Sequence, residues 1–395
     1  MSAPLGTGSI LIAPDKFKGS LTAGQVAQAI ATGLRRVLTT VDLRCLPVAD
    51  GGEGTVDAAL AAGFQRRQTE VSGPLSKPVT ASWAWRDHRG RREAVVELAQ
   101  ASGIELIQPD RTTGRAATSR GTGELLQAAL EAGAQRIILG LGGSACTDAG
   151  AGMLAALGVR LEDTRGRPIP DGGSGLARVH HIDCSGLDPR WKHTEVMVAS
   201  DVDNPLTGPN GAAAVFGPQK GLTPEDVTAI DRGIGHFATV LVQAAEAEWG
   251  SAAGAHVVES TTASGSGAAG GTSFAAMTML GAQRRRGVDV ILELTNFAAA
   301  LDGVSLVITG EGSLDAQTLA GKAPIGIAQA AAARGIPVFA VCGRNQLTEA
   351  QLQQAGFRAV HALSNLEPDP GVSMSQAMPL LETVGEQIGA TLVTT

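Results

Sequence analysis

Six loops of this chain share one pattern, an apolar run followed by small residues mixed with acids, lysines or hydroxyl residues. The clusters are residues 15–20 (DKFKGS), 50–55 (DGGEGT), 140–148 (GLGGSACTD), 201–204 (DVDN), 265–272 (GSGAAGGT) and 310–315 (GEGSLD), with Gly321 and Lys322 just after the last. Short apolar runs that end in such turns and re-emerge as helical patterns read as alternating strands and helices. Glycine supplies 52 residues in no periodic repeat, almost double the average share of about 7%.

The start has this plan. SILIA (9–13) is a short buried-strand pattern, Thr22 and Gln25 give a capping-box signal, and Val26, Ile30, Leu34 and Val37 recur at helical spacing. Residues 41–63 repeat it. Near residue 66 the texture changes: VTASWAWRD (79–87) and REAVVELA (92–99) flank a His88-Arg89-Gly90-Arg91 turn, which predicts an antiparallel hairpin. RIIL (136–139) and EVMVAS (195–200) read as strands, and Thr223-Pro224-Glu225-Asp226 opens a helix with cap, proline and acids in place. The basic run 284–286 reads as the end of a helical segment before Gly287. The regular alternation then returns, with strand 304–310, helix 316–334 and strand 336–343.

The expected fold is α/β. A parallel, Rossmann-like sheet domain would comprise residues 1–70 plus 285–395. An inserted second α/β domain, 71–284, would contain the hairpin.

With 44% hydrophobic residues the chain can build sizeable cores, and no apolar run approaches the ~20 residues of a membrane span. Net charge is −7, aromatics are 3% and tyrosine is absent, which argues against nucleic-acid binding. The N-terminus lacks a signal-peptide pattern, and the four scattered cysteines read as reduced thiols, so the expected location is cytoplasmic. The sequence carries no signal for oligomeric state.

Residues just past the carboxyl ends of parallel strands line one crevice. A ligand that needs cations, backbone donors and carboxylates together is a magnesium nucleotide with a small polar acceptor. No Walker A loop is present: around Lys322 the first glycine position is Ala316, and Ala323 follows the lysine. Gly140, Gly142 and Ala145, with Glu162 beyond, make a fair dinucleotide fingerprint. An NAD(P)-dependent oxidoreductase is therefore the rival reading, although Asp148 falls where the pyrophosphate would lie. A non-catalytic small-molecule-binding protein needs fewer charged loops than are present.

The stretches IAPDKFKGSLTA, PVADGGEGTVDA, GLGGSACTDAGAGMLAALG, SDVDNPLTGPNGAAAVFGPQKG, GSGAAGGTSF and VITGEGSLDAQTLAGKAPIG occur in order from residue 10 to about 330. Across them the chain resembles the type I glycerate kinase family. The resemblance implies ATP- and Mg²⁺-dependent phosphorylation of D-glycerate, leaning to 2-phosphoglycerate, in a cleft between two α/β domains.

Asp201, expected at the end of a strand, is the candidate base, with Asp148 as the alternative. Lys16, Lys18, Ser20, Ser144 and Lys322 are candidates for holding phosphate or the substrate carboxylate. Asp15, Asp50, Glu53, Asp203 and Asn204 are candidates for binding the acceptor. Glu311 and Asp315 are the candidate Mg²⁺ ligands.

Overall fold

The computed structural model describes residues 8–319 and 321–394. The chain forms two compact units. The first holds the described residues of Met1–Asp50, Asp57–Gly63 and Gly287–Thr395, and the second holds Gly51–Val56 and Phe64–Arg286.

The first unit is built on five strands: β1 (Ser9–Pro14), β2 (Leu43–Cys45), β11 (Val304–Leu314), β12 (Val338–Asn345) and β13 (Phe357–Ala362). They lie in the order β13-β12-β11-β1-β2, and every neighbouring pair is parallel. Ile10, Leu11, Ile12 and Ala13 are all at most 1% exposed, as an apolar run covered on both faces must be. The Ala23–Arg35 helix begins with the anticipated box: Gln25 N donates to Thr22 Oγ1 and Thr22 N donates to Gln25 Oε1.

That helix packs against the Ala377–Thr394 helix at a very short distance. A Cβ on Gly33 would sit 1.9 Å from the Glu382 carbonyl oxygen, and one on Gly385 would sit 2.4 Å from that of Ile30. Gly→Ala within a helix normally stabilises by roughly 0.5–1 kcal/mol. Here Gly33→Ala is expected to destabilise by about 1–3 kcal/mol, because the helices must part. Thermal unfolding gives the sign, and an unchanged or higher melting temperature would refute the close packing.

The second unit carries a six-stranded sheet of β3 (Gln65–Ser72), β4 (Pro78–His88), β5 (Arg91–Glu97), β6 (Arg136–Gly140), β9 (Glu195–Ala199) and β10 (Gln283–Arg285). Its order is β10-β9-β6-β5-β4-β3, and β7 (Arg160–Glu162) pairs with β8 (His181–Asp183) as a separate ribbon. Strands β5, β6, β9 and β10 are parallel, and β3–β4–β5 run antiparallel. The hairpin turn is Arg89-Gly90, with φ of 55° and 81°, the paired left-handed conformation that matches strand twist. The 26-residue Pro224–Trp249 helix opens on a Thr223–Asp226 capping box and buries Ile230, Ile234, Phe237 and Leu241.

Three sequence expectations are corrected. The basic run 284–286 does not end a helix: Arg284 and Arg285 lie on β10, an edge strand, where charged residues are well tolerated. The expected strand 304–310 continues to Leu314, because β12 also continues and pairs Ser313 with Arg344 and Leu314 with Asn345. Glu311 is therefore a strand residue. The expected helix 316–334 is two pieces, Ala316–Leu319 and Ala323–Ala332; Gly321 at φ 113° breaks it and Pro324 starts the second.

Candidate active site

In the first unit the chain leaves β1 for β2 on one side of the sheet, while β11, β12 and β13 build up on the other. Connections that diverge in this way leave a crevice at the carboxyl ends of the two central strands. A cleft of about 610 Å³ opens there. Residues 15–20 follow β1 and Asp50 follows β2. Glu311 and Asp315 come from the end of β11, and Lys322 from the helix start beyond it. Asp15, Lys16, Lys18, Ser20, Asp50, Glu311, Asp315 and Lys322 all line the cleft.

Its floor is a crowd of carboxylates. Asp15 is 6% exposed, and its Oδ1 accepts the Lys16 backbone N–H at 2.7 Å. Burial holds its carboxyl well above the usual range, and the charges of Asp50 and Glu311 push it further the same way. Glu311 is 7% exposed and pushed up to about 7, chiefly by burial. Thr318 Oγ1 donates to Glu311 Oε1 at 2.5 Å, and Lys322 Nζ stands 3.8 Å from Oε2. Asp315 Oδ1 accepts from the amides of Gln317 and Thr318 at 2.8 and 3.3 Å, so that oxygen caps a helix turn.

Among the described residues no three Asp, Glu, His or Cys side chains form a ready metal cage. Mg²⁺ keeps several waters and takes one or two carboxylates plus substrate phosphates. The hard oxygens of Glu311 and Asp15, crowded and raised in proton affinity, are a donor set that a cation would relieve. Arg344, which directly follows the glycine of β12, also lines the cleft. Sequence reasoning missed it, although it follows the glycine that closes the expected strand 336–343, as Lys322 follows Gly321.

The other candidates belong to the second unit. Here the carboxyl edge of β5, β6 and β9 is packed with loops. Glu97, at the end of β5 and 2% exposed, accepts the amides of Gly54 and Val56 at 3.1 and 3.0 Å. The 50–55 glycine turn thus directs amides at a buried carboxylate of the protein itself. A Cβ on Gly142 would lie 2.4 Å from Gly52 Cα, and one on Gly143, at φ +71°, would lie 2.3 Å from Glu53 Oε1. These glycines let two loops touch.

Asp148 is fully buried. It accepts from Ser119 N at 2.8 Å, Ser119 Oγ at 2.9 Å, and the Gly150 and Gly152 amides at 3.2 Å each. Burial raises its pKa, and the Ser119 hydrogen bonds oppose that. It occupies the amides at the start of the Ala151–Ala156 helix, where a dinucleotide pyrophosphate would need them. The oxidoreductase reading loses its binding loop on this ground.

Ser144 is held by a residue that sequence spacing gave no reason to select. Lys220 is 1% exposed, and its Nζ donates to Ser144 Oγ at 2.9 Å and to the Cys146 carbonyl at 2.5 Å. Since Ser144 Oγ accepts there, its own hydrogen is directed elsewhere.

Asp201 is separated from the end of β9 by one residue and is half-buried. Asp203 pairs with Arg284 at 2.7 Å and accepts from Ser264 Oγ at 2.7 Å, which holds its carboxyl below the usual range. Asn204 Nδ2 donates to the Asn210 carbonyl at 2.8 Å. The four cysteines are free. No helix among the described residues is long and apolar enough to cross a membrane.

The model of the glycerate kinase family matches residues 10–393. Glycerate kinase of Bacillus subtilis (strain 168) is 44% identical over 355 residues, 90% of each chain. Glycerate 2-kinase of Escherichia coli (strain K12) is 42% identical over 355 residues, again 90% of each. A crystal structure assigned as glycerate kinase 2 from Salmonella typhimurium LT2 matches with a TM-score of 0.80 at 40% identity, covering 98% of both chains.

Proposed function

The chain belongs to the glycerate kinase family, and from that premise we propose that it transfers the γ-phosphoryl group of ATP to D-glycerate, giving 2-phosphoglycerate. The observation that carries this reading is the first unit's cleft. It sets Lys16, Lys18, Lys322 and Arg344 beside the buried carboxylates Asp15 and Glu311 at the carboxyl edge of β1 and β11. Phosphoryl transfer asks the protein for positioning and charge neutralisation rather than covalent chemistry.

Lys18 and Lys322 neutralise phosphate oxygens in this reading. Glu311 and Asp15 are the carboxylates that would hold Mg²⁺, with Asp315 as a further oxygen donor. When bound, the ion neutralises charge on the nucleotide phosphates. Asp201 orients the acceptor hydroxyl and takes its proton. Ser144, its oxygen engaged by Lys220, presents a hydroxyl hydrogen to an anion.

³¹P NMR of the product formed from ATP and D-glycerate tests the reading, because 2- and 3-phosphoglycerate resonate apart. No phosphomonoester signal would overturn it, and 3-phosphoglycerate would correct the hydroxyl. Lys18→Ala and Lys322→Ala are each expected to raise a Michaelis constant or lower turnover at least tenfold, about 1.4 kcal/mol. Near-normal kinetics in both would remove the lysines from the site.

A further inference from the structure

We infer that the apolar wall of the first unit's cleft, built by Leu363, Pro368, Pro370, Met374 and Ala377, seats the purine base of the nucleotide. The inference rests on the kinase reading above and assigns one of its two substrates to a surface.

Size and polarity both point this way. D-glycerate is a three-carbon acid with a polar group on every carbon. It has no apolar face to bury, and it fills a small part of about 610 Å³. A cleft of this size, part apolar and part charged, suits a ligand that is itself divided into an apolar and a charged part. The two halves of the lining come from different stretches of chain. The cations and all but one of the carboxylates come from residues 15–20, Asp50, residues 311–322 and Arg344, while the apolar residues other than Phe17 belong to the segment that follows β13, where Glu367 is the one acid.

That segment is also where apolar side chains are left exposed. Leu366, Val372, Met374 and Met378 are four of the nine large hydrophobics exposed among the described residues, so over 40% of them fall within thirteen positions. An exposed apolar concentration beside a polar rim marks a binding surface. Met374 is 49% exposed and lines the cleft directly. A thioether is polarizable and packs favourably on an aromatic ring.

The wall is fastened to the phosphate side. Ser20 Oγ donates to the Met374 carbonyl at 2.8 Å, and a Cβ on Gly19 would come within 3.2 Å of Met374 Cε. The turn that carries Lys18 therefore fixes the position of the apolar surface. One extended ligand can lie across both.

The test uses the full-length enzyme and Met374→Glu, a change at an exposed side chain. By calorimetry its affinity for ADP should fall at least tenfold, while that for inorganic tripolyphosphate, which lacks a base, stays within twofold. The Michaelis constant for ATP should rise at least tenfold and that for D-glycerate should hold within twofold. Met374→Leu should restore ADP affinity. Unchanged ADP affinity in Met374→Glu, or a raised Michaelis constant for D-glycerate alone, would overturn the assignment and leave the kinase reading intact. ADP binding that depends on Met374 in an enzyme that cannot phosphorylate D-glycerate would retire the kinase reading and support the base seat.

Discussion

Asp201→Asn should bind ADP with unchanged affinity, while turnover of D-glycerate falls by roughly 10²–10⁴, the range for loss of a general base. The acceptor hydroxyl needs a carboxylate within hydrogen-bond reach to orient it and accept its proton. The choice among the second unit's acids follows from burial and from place on the sheet. Asp148 has no exposed surface and accepts hydrogen bonds from Thr118, Ser119, Gly150 and Gly152 of its own unit. To meet a substrate it would have to abandon a helix start. Asp203 is bound to Arg284 and Ser264, which also lowers its basicity. Asp201 is half-buried at the carboxyl end of β9, where ligands of parallel sheets gather. Titration calorimetry with ADP and a coupled turnover assay separate binding from chemistry. Turnover within a few-fold of the parent enzyme would take the base role from Asp201, and lost ADP binding in a folded variant would make it a nucleotide ligand instead.

Glu311→Gln should make the protein harder to melt above pH 7 and at least tenfold slower as an enzyme. Burial, above all, pushes Glu311 up from the usual 4.5 to about 7. Between those values the folded chain holds a proton that the unfolded chain has released. Stability therefore falls as pH rises through that window, and the full penalty applies above 7. At 1.36 kcal/mol per pH unit the upper bound is about 3 kcal/mol. Gln keeps an acceptor for the Thr318 hydroxyl and has no charge to desolvate. The melting-temperature gain over the parent should be clear at pH 8 and close to zero at pH 4.5. Equal gains at both pH values would show that ionisation of Glu311 is not the cause. The loss of rate follows if the carboxylate is needed for the Mg²⁺-nucleotide.

Much of the first sheet was legible from local chemistry. Runs such as SILIA and VFAVC are long enough to be strands and too short to be helices, and their order forces parallel pairing. The Thr22–Gln25 and Thr223–Asp226 boxes announced their helices because capping is settled within four residues. What escaped was set by partners far along the chain. The 50–55 turn gives no hint that Glu97 will occupy its amides, since the two meet only when β5 closes on it. Lys220 lies 76 residues from Ser144, in a stretch with no spacing that marks a buried cation. Strand β11 outran its apolar run because its register with β12 continues through Gly310, Glu311 and Ser313, which no count of apolar residues could reveal.

The pairing of β1 with β11 has a consequence for the order in which the protein can assemble. Thr309 Oγ1 donates to the carbonyl of Ala13, 296 residues away, so the middle of the first sheet joins the two ends of the sequence. Closing a flexible loop of that length would cost about 5 kcal/mol in chain entropy. If residues 64–286 condense first, the span is already shortened when the closing strands meet. During synthesis β1 can meet β2 early, but its other edge waits for β11 until most of the polypeptide has emerged. Any substitution that slows condensation of the inserted unit should therefore delay the first unit as well, and leave an apolar strand edge exposed for longer.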